Sequence, residues 1–143
     1  MPRETTRQTF MDVYKGKTPA IDDDKQIDNI AYKMRVSAKA ADYTVVAKDS
    51  GTVFMQTVGD VNFTLPDRES GLIFWFIGTT DHEIMLTSDT AGKMMGFNDV
   101  AIDTIAFTTA GEQEGCGFMA FSDGAFWYPC IIKGLATTTL TQA

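Results

Sequence analysis

The residues best suited to acid–base chemistry surround the only histidine of the chain, His82, in the segment "TTDHE". Asp81 and Glu83 flank it, and a carboxylate beside an imidazole can orient it as a general base. Neither a GxSxG motif nor a cysteine–histidine pattern accompanies this segment, and the sequence contains no GxGxxG, Walker A or HExxH motif. The segment also has the composition of a surface turn. We therefore predict that the protein is not an enzyme.

Carboxylates and metal ligands give no stronger signal. Paired acids can cleave glycosides, but most acids after residue 41 stand in predicted turns, where they favour solubility and turn formation. Asp22–Asp24 lacks the alternating ligand spacing of a calcium loop and fits the start of a helix better. With a single histidine, a histidine-rich metal site is excluded. We expect no cofactor and no metal.

The two cysteines, Cys116 and Cys130, lie on strands predicted to pair through the hairpin "SDGA". A two-residue loop at Asp123–Gly124 places Cys116 opposite Ile131, whereas a loop one residue longer places it opposite Cys130. A cross-strand disulfide is therefore dependent on register. We prefer the interpretation that both are reduced thiols packed as small apolar residues.

Charge divides the chain into a short arm and a body. The net charge is −7, and the acids concentrate after residue 40, so residues 1–40 are mildly basic and residues 41–143 strongly acidic. An acidic chain does not neutralise phosphates, which excludes nucleic acid as a partner. No apolar run is long enough to span a bilayer, so we expect no membrane segment. We predict an N-terminal arm, residues 1–40, and a body, residues 41–143.

The arm is compatible with two conformations. Its first 21 residues have no regular apolar period. In the following segment Ile27, Ile30, Ala31 and Met34 recur at helical spacing, with Asp22–Asp24 suited to a helix start. A short helix and an extended arm therefore remain alternatives.

The body reads as about eight short β-rich runs separated by turn residues, without helices between them. This pattern predicts an antiparallel β-sandwich resembling a jelly roll. Asp123–Gly124 is a strong signal for a two-residue type I′ turn joining the last two strands. We find no internal repeat of the length that forms solenoids.

The segment "GLIFWFIG" is apolar on both faces of its predicted strand. Leu72, Phe74 and Phe76 share one face, which we assign to the sandwich core. The other face must be covered either by the arm or by a neighbouring subunit, because large apolar patches are uncommon on monomers. We predict a subunit interface that contains Ile73, Trp75, Ile77 and Trp127.

Four motifs of the body, in this order, resemble those of the small β domain found in virion proteins of tailed phages. They are "DSG" at Asp49–Gly51, "TLP" at Thr64–Pro66, "GLIFWF" at Gly71–Phe76 and "SDGAFWY" at Ser122–Tyr128. The resemblance covers about residues 42–132 and does not include the arm. Each motif is weak alone, and the four together point to head-decoration (cement) proteins.

The resemblance implies a structural protein, trimeric in most such cases, that binds the major capsid protein. Its expected location is the capsid exterior, after synthesis in the cytoplasm of the bacterial host. The alternative is a head- or tail-fibre module that binds carbohydrate or a receptor. We predict that the arm docks on the capsid or a neighbour through Phe10, Tyr14, Ile27, Ile30, Tyr32 and Met34.

Overall fold

The structure, a computed structural model, describes residues 33–133 and 140–143. These residues form twelve strands and one 3₁₀ helix, Ala47–Asp49, and they include no helix long and apolar enough to cross a bilayer. The strands in chain order are β1 (Arg35–Lys39), β2 (Tyr43–Thr44), β3 (Thr52–Gln56), β4 (Val61–Thr64), β5 (Ile73–Gly78), β6 (Ile84–Thr87), β7 (Met94–Gly96), β8 (Asp99–Ile102), β9 (Thr104–Phe107), β10 (Gly117–Ser122), β11 (Trp127–Lys133) and β12 (Leu140–Gln142).

Two sheets form a β-sandwich, which confirms the predicted all-β class. The seven-stranded sheet has the order β1-β3-β5-β10-β11-β7-β8, and the five-stranded sheet has the order β12-β9-β6-β4-β2. Alternate side chains along β3, β4, β5 and β6 are buried, as expected for strands that cover a core on one face. The centre of the core is aromatic, with the rings of Phe54 and Phe76 stacked 5.6 Å apart and that of Phe63 4.9 Å from Phe76.

The strand directions differ from the antiparallel arrangement that we predicted. Strands β1 to β6 alternate between the two sheets, and β1, β2, β3 and β4 each pair in parallel with the strand two positions further along the chain. This is the geometry of three stacked solenoid coils. Paired residues lie 17 apart between β1 and β3, 22 between β3 and β5, 20 between β2 and β4, and 23 between β4 and β6. The backbone therefore repeats every 17–23 residues, and we found no matching repeat in the sequence.

Threonines join successive coils at the ends of β3 and β5 in the larger sheet. The backbone N–H and the hydroxyl of Thr57 both donate to the Lys39 carbonyl, at 2.9 and 3.2 Å. One coil further, the same two groups of Thr79 donate to the Gln56 carbonyl at 3.0 and 2.7 Å. The stacking is thus fixed by side chains as well as by the ladder.

Aspartates join the coils at the turns that follow β1 and β3. Asp42 Oδ1 accepts a hydrogen bond from the backbone N–H of Asn62 at 2.8 Å, and Asp60 Oδ1 accepts one from that of Glu83 at 2.8 Å. Such side chains satisfy backbone donors where the ladder ends. Each of these turns is therefore attached to the coil that follows it.

Antiparallel strands close the solenoid after its third coil. β9 pairs with β6, and β10 pairs with β5, both antiparallel. β11, β7 and β8 then extend the larger sheet beyond β10, and β12 extends the smaller sheet beyond β9. The last coil therefore has paired edges in both sheets.

The first strand of the sandwich lies inside the segment that we predicted to be an arm. β1 pairs with β3 over five residues, Arg35 to Lys39, and the compact unit that contains the sandwich begins at Met34. The predicted helical residues Ile27, Ile30 and Ala31 lie outside the described residues.

The structure contains the predicted hairpin between β10 and β11, but its loop is longer than the two-residue type I′ turn that we predicted. Ser122 pairs with Trp127, which leaves Asp123–Phe126 as a four-residue loop. Asp123 Oδ1 accepts the N–H groups of Ala125 and Phe126, both at 2.8 Å, and this bonding favours the longer loop. In this register Cys130 faces Met119 and not Cys116, and neither cysteine forms a disulfide.

Candidate assembly interface

The outward face of the larger sheet is apolar across five adjacent strands. Register places its residues in rows over β1, β3, β5, β10 and β11. The residues grouped here are uncharged, and Lys133 on β11 pairs with Gly117 at the end of one row, where the register shifts. We call this set the outer face. Its members are Val36, Ala38, Val53, Met55, Ile73, Trp75, Ile77, Gly117, Met119, Phe121, Tyr128, Cys130 and Ile132.

The middle row of the outer face is centred on Trp75. Val53 on β3 and Met119 on β10 are its direct neighbours, and Val36 and Cys130 continue the row at either side. All except Val36 are half-buried, and Val36 is 59 % exposed. Five strands at ~4.8 Å and three rows at ~6.8 Å give a patch on the order of 400–500 Å². Patches of this size on a monomer are often functional.

Gly117 lies in the row of the outer face that contains Ile77, which we call the lower row. A Cβ placed on Gly117 would lie 2.6 Å from Ile77 Cδ1 and 2.8 Å from the Phe76 carbonyl oxygen. The same position would lie 3.4 Å from Ile132 Cγ1. Gly117 therefore leaves the space into which these isoleucine side chains lean, and the row stays closely packed.

The row that contains Ile73, which we call the upper row, ends in the aromatic pair Phe121 and Tyr128 beside Asp123. The rings of Phe121 and Tyr128 are stacked with centroids 5.0 Å apart, and the Tyr128 hydroxyl donates to Asp123 Oδ2 at 2.9 Å. The backbone N–H groups of Phe126 and Ala125, followed by this hydroxyl, lower the pKa of Asp123. The same bond to the carboxylate raises the pKa of Tyr128. The ionised carboxylate thus holds the loop and the tyrosine together.

Three of the four residues predicted for the subunit interface lie together on the outer face. Ile73, Trp75 and Ile77 alternate along β5 with the buried Phe74 and Phe76. The two-sided hydrophobicity of "GLIFWFIG" is therefore divided between the core and this face.

Trp127 requires a correction, because it lies in the core. It has no exposed surface, its ring is 5.9 Å from that of Phe74, and its Nε1–H donates to the Pro66 carbonyl at 3.2 Å. The sequence could not show this, because the side on which Trp127 lies depends on the length of the hairpin loop.

The residues predicted to dock on a capsid are almost all beyond the described part of the chain. Phe10, Tyr14, Ile27, Ile30 and Tyr32 lie outside residues 33–133 and 140–143. Met34 is described. It is half-buried and immediately precedes β1.

The residues considered for acid–base chemistry have other partners. Both carboxylate oxygens of Asp81 accept the Gly111 N–H at 2.8 Å, and the nearest charged partner of His82 is Asp60, 3.6 Å away. His82 and Asp60 are largely exposed, with side-chain exposures of 53 % and 74 %. Among the described residues, no group of three or more histidines, cysteines and acids could hold a metal ion.

A polar cluster on the first coil was not found from the sequence. Arg35 Nη2 lies 2.5 Å from Asp49 Oδ1, and the Tyr43 hydroxyl donates to Asp49 Oδ2 at 3.2 Å. Lys39 Nζ lies 3.4 Å from the centre of the Tyr43 ring, an arrangement that favours a cation–π interaction. Desolvation, followed by the charge of Asp49, raises the pKa of Tyr43. The only signal in the sequence was a local excess of basic residues.

Comparison with known proteins adds no relative to this description. No protein-family model matches the chain, and no match was found among curated proteins.

Proposed function

We propose that the chain is a non-catalytic structural protein of a phage particle, which assembles as a trimer and binds the major capsid protein on the outside of the capsid. The observation that carries this proposal is the apolar outer face. The proposal also rests on the order of the four motifs and on the acidic body, whose charge suits a position away from packaged DNA.

The occupant of the outer face in this proposal is a second copy of the chain. Copies of a chain with a net charge of −7 repel one another, so they can approach closely only through surfaces without like charges. Aromatic residues and methionine are enriched at such interfaces, and Trp75, Phe121, Tyr128, Met55 and Met119 supply them here.

A matched pair of valine variants tests this assignment. Val53→Asp places a carboxylate beside Trp75, whereas Val58→Asp makes the same change at a turn residue that is 63 % exposed and lies off the outer face. We expect sedimentation to show trimers for the wild type and for Val58→Asp, and monomers for Val53→Asp. Far-UV circular dichroism should be the same for all three proteins.

Two results would contradict the interface. A wild-type chain that stays monomeric both in solution and on particles would mean that the outer face has another cover, such as the arm. Equal oligomerisation of the two aspartate variants would mean that the subunits meet elsewhere.

Capsid binding is tested separately. Purified protein mixed with undecorated shells of the phage that encodes it should co-sediment with them, and images of the particles should show added density on the outer surface. Binding to many lattice points makes modest individual contacts sufficient. Shells that bind none of the protein would exclude a decoration role.

The second candidate is a carbohydrate- or receptor-binding module of a fibre. The observation that favours it is the stacked pair of Phe121 and Tyr128, with Phe121 39 % exposed and Asp123 beside it. Aromatic faces next to a polar group are suited to stacking on sugars. Saturable binding on a glycan array that is lost in Tyr128→Ala would favour this function. Trp127 is unsuitable for the same test because it is buried.

A further inference from the structure

The two edges of the seven-stranded sheet differ in position and composition. β1 forms one edge and β8 forms the other. Within residues 33–133 and 140–143, neither strand has a partner on its outer side. With seven strands spaced at ~4.8 Å, the edges lie on the order of 29 Å apart. Open edges of this kind are templates for the addition of another strand.

β1 directs four backbone hydrogen-bonding groups to its open side. The Lys39 carbonyl accepts the Thr57 N–H, so the backbone groups of Lys39 point toward β3. Because successive residues of a strand bond on alternate sides, the N–H and C=O groups of Val36 and Ala38 point away from β3. Both residues are exposed.

β8 is a short edge strand flanked by acids. Its central residues Val100 and Ala101 are exposed, and Val100 has 67 % of its surface accessible. Asp99 Oδ1 accepts the Ala101 N–H at 2.9 Å, and Asp103 accepts the N–H of Gly92. These two bonds hold a carboxylate at each end of the strand. The Ala101 N–H is already bonded to Asp99, so β8 offers fewer donors to a partner strand than β1 does.

Charge differs between the first coil and the rest of the sandwich. Residues 33–49 contain four Lys and Arg against two acids, and residues 50–133 contain three against eleven. The β1 edge therefore belongs to the basic end of the molecule, and the β8 edge belongs to the acidic remainder. Arg35 keeps 58 % of its side chain exposed although it pairs with Asp49.

We propose that a second copy of this chain adds its β8 edge to the β1 edge, head to tail. The opposite charges favour this pairing over β1 with β1 or β8 with β8. Strand addition continues the sheet and places the outer faces of the two copies side by side, so this contact is made by the edge strands and the charges around them. A head-to-tail contact closes into a ring at a suitable rotation. This inference goes beyond the proposed function and does not depend on capsid binding.

Cross-linking between two proteins that each carry one exposed cysteine, in addition to the buried Cys116, tests the pairing. Val36→Cys and Val100→Cys are each made in a Cys130→Ser background, purified, mixed and treated with a short bismaleimide. We expect a covalent dimer that contains one copy of each variant in the mixture, identified by mass. Each variant treated alone should give little dimer, because β1 does not meet β1 and β8 does not meet β8.

A proline variant shows whether the backbone edge is responsible. Ala38→Pro removes an N–H that points to the open side, and proline is tolerated on an edge in that position. Introduced with Val36→Cys, it should reduce the mixed dimer on the order of tenfold, since at least one intermolecular backbone hydrogen bond is lost and the ring obstructs strand addition. Ala38→Ser keeps the N–H and should leave the yield unchanged.

The outcomes separate this inference from the function proposed above. No excess of mixed dimer over the single-variant controls, or equal yields with Ala38→Pro and Ala38→Ser, would overturn edge pairing. Edge pairing can hold while capsid binding fails, and capsid binding can hold with monomers side by side. The Val53→Asp result reports only on the outer face.

Discussion

At the scale of single residues, the two tryptophans have opposite roles although both stand in aromatic segments. Trp75 lies on the outer face with its ring half-exposed, and Trp127 fills the core with its indole N–H bonded to the Pro66 carbonyl. The type of residue does not distinguish them, because alternation along a strand assigns the face. Substitution of each should therefore affect a different property of the protein.

Trp127→Phe should destabilise the sandwich by about 2–3 kcal/mol. The smaller ring leaves a cavity in the core, and the Pro66 carbonyl loses its donor. Urea unfolding followed by circular dichroism measures the free energy of unfolding.

Trp75→Phe is the matched control, and we expect it to change the free energy of unfolding by less than about 1 kcal/mol, because the ring is half-exposed. An equal loss of stability in the two variants would contradict the division between core and outer face.

The β10–β11 loop should respond to pH through Asp123. Its pKa in the folded protein lies below that of the unfolded chain, about 3.9. The stabilisation is therefore complete above about pH 5 and is lost as the pH falls through 3.9 toward the folded value. Unfolding of the wild type and of Asp123→Asn should be compared at pH 6 and pH 3. We expect the difference in stability between them to shrink at pH 3, and an unchanged difference would contradict this role for the carboxylate.

At the scale of strands and coils, the sequence predicted the class of fold but not the direction of the strands. Alternating burial looks the same in a parallel and an antiparallel strand that covers a core on one side, so "TVFMQ" and "LIFWFIG" indicated strands without indicating their partners. The coils differ in length and share few residues, which hid the repeat. Ile73, Trp75 and Ile77 were identifiable because alternation alone separates them from Phe74 and Phe76. Trp127 was not, since its register depends on hydrogen bonds of Asp123.

The aspartates that join coils give a prediction at this scale. Asp60→Ala removes the acceptor of the Glu83 N–H. We expect a loss of about 0.5–1 kcal/mol in the free energy of unfolding and faster hydrogen exchange at the Glu83 amide. Asp60→Asn keeps an acceptor oxygen and should retain protection. Equal exchange in the two variants would show that the charge, rather than the bond, is responsible.

At the scale of the whole molecule, basic and acidic residues are unevenly distributed along the strand order of the sandwich. Residues 33–49 carry four of the seven Lys and Arg of residues 33–133, and the later strands carry most of the acids. In the proposed assembly, the apolar outer face and these charged regions would contact different neighbours. Residues 1–32 contain five Lys and Arg against six acids, so the basic excess belongs to the first coil and not to the segment before it.

Two truncations test the role of the segment that precedes the sandwich. Removal of residues 1–32 should abolish co-sedimentation with capsids and leave the body folded, because β1 is retained. Removal of residues 1–40 should also lower the free energy of unfolding, since it deletes β1 together with the contacts of Arg35 and Lys39. Circular dichroism and pelleting with shells measure the two effects. Normal capsid binding by the protein that lacks residues 1–32 would contradict the docking role of the arm.

The way in which the coils are closed has a consequence for synthesis. Strands β1 to β6 contact partners about twenty residues away, so the coils can form as the nascent chain emerges, one after another. The antiparallel strands that cover β5 and β6 follow only with residues 104–122. Until these strands have emerged from the ribosome, the edges of β5 and β6 stay open. Chains that are translated from the same messenger RNA can then pair through these edges. Pairing between chains can therefore compete with folding until residue 122 has been synthesised.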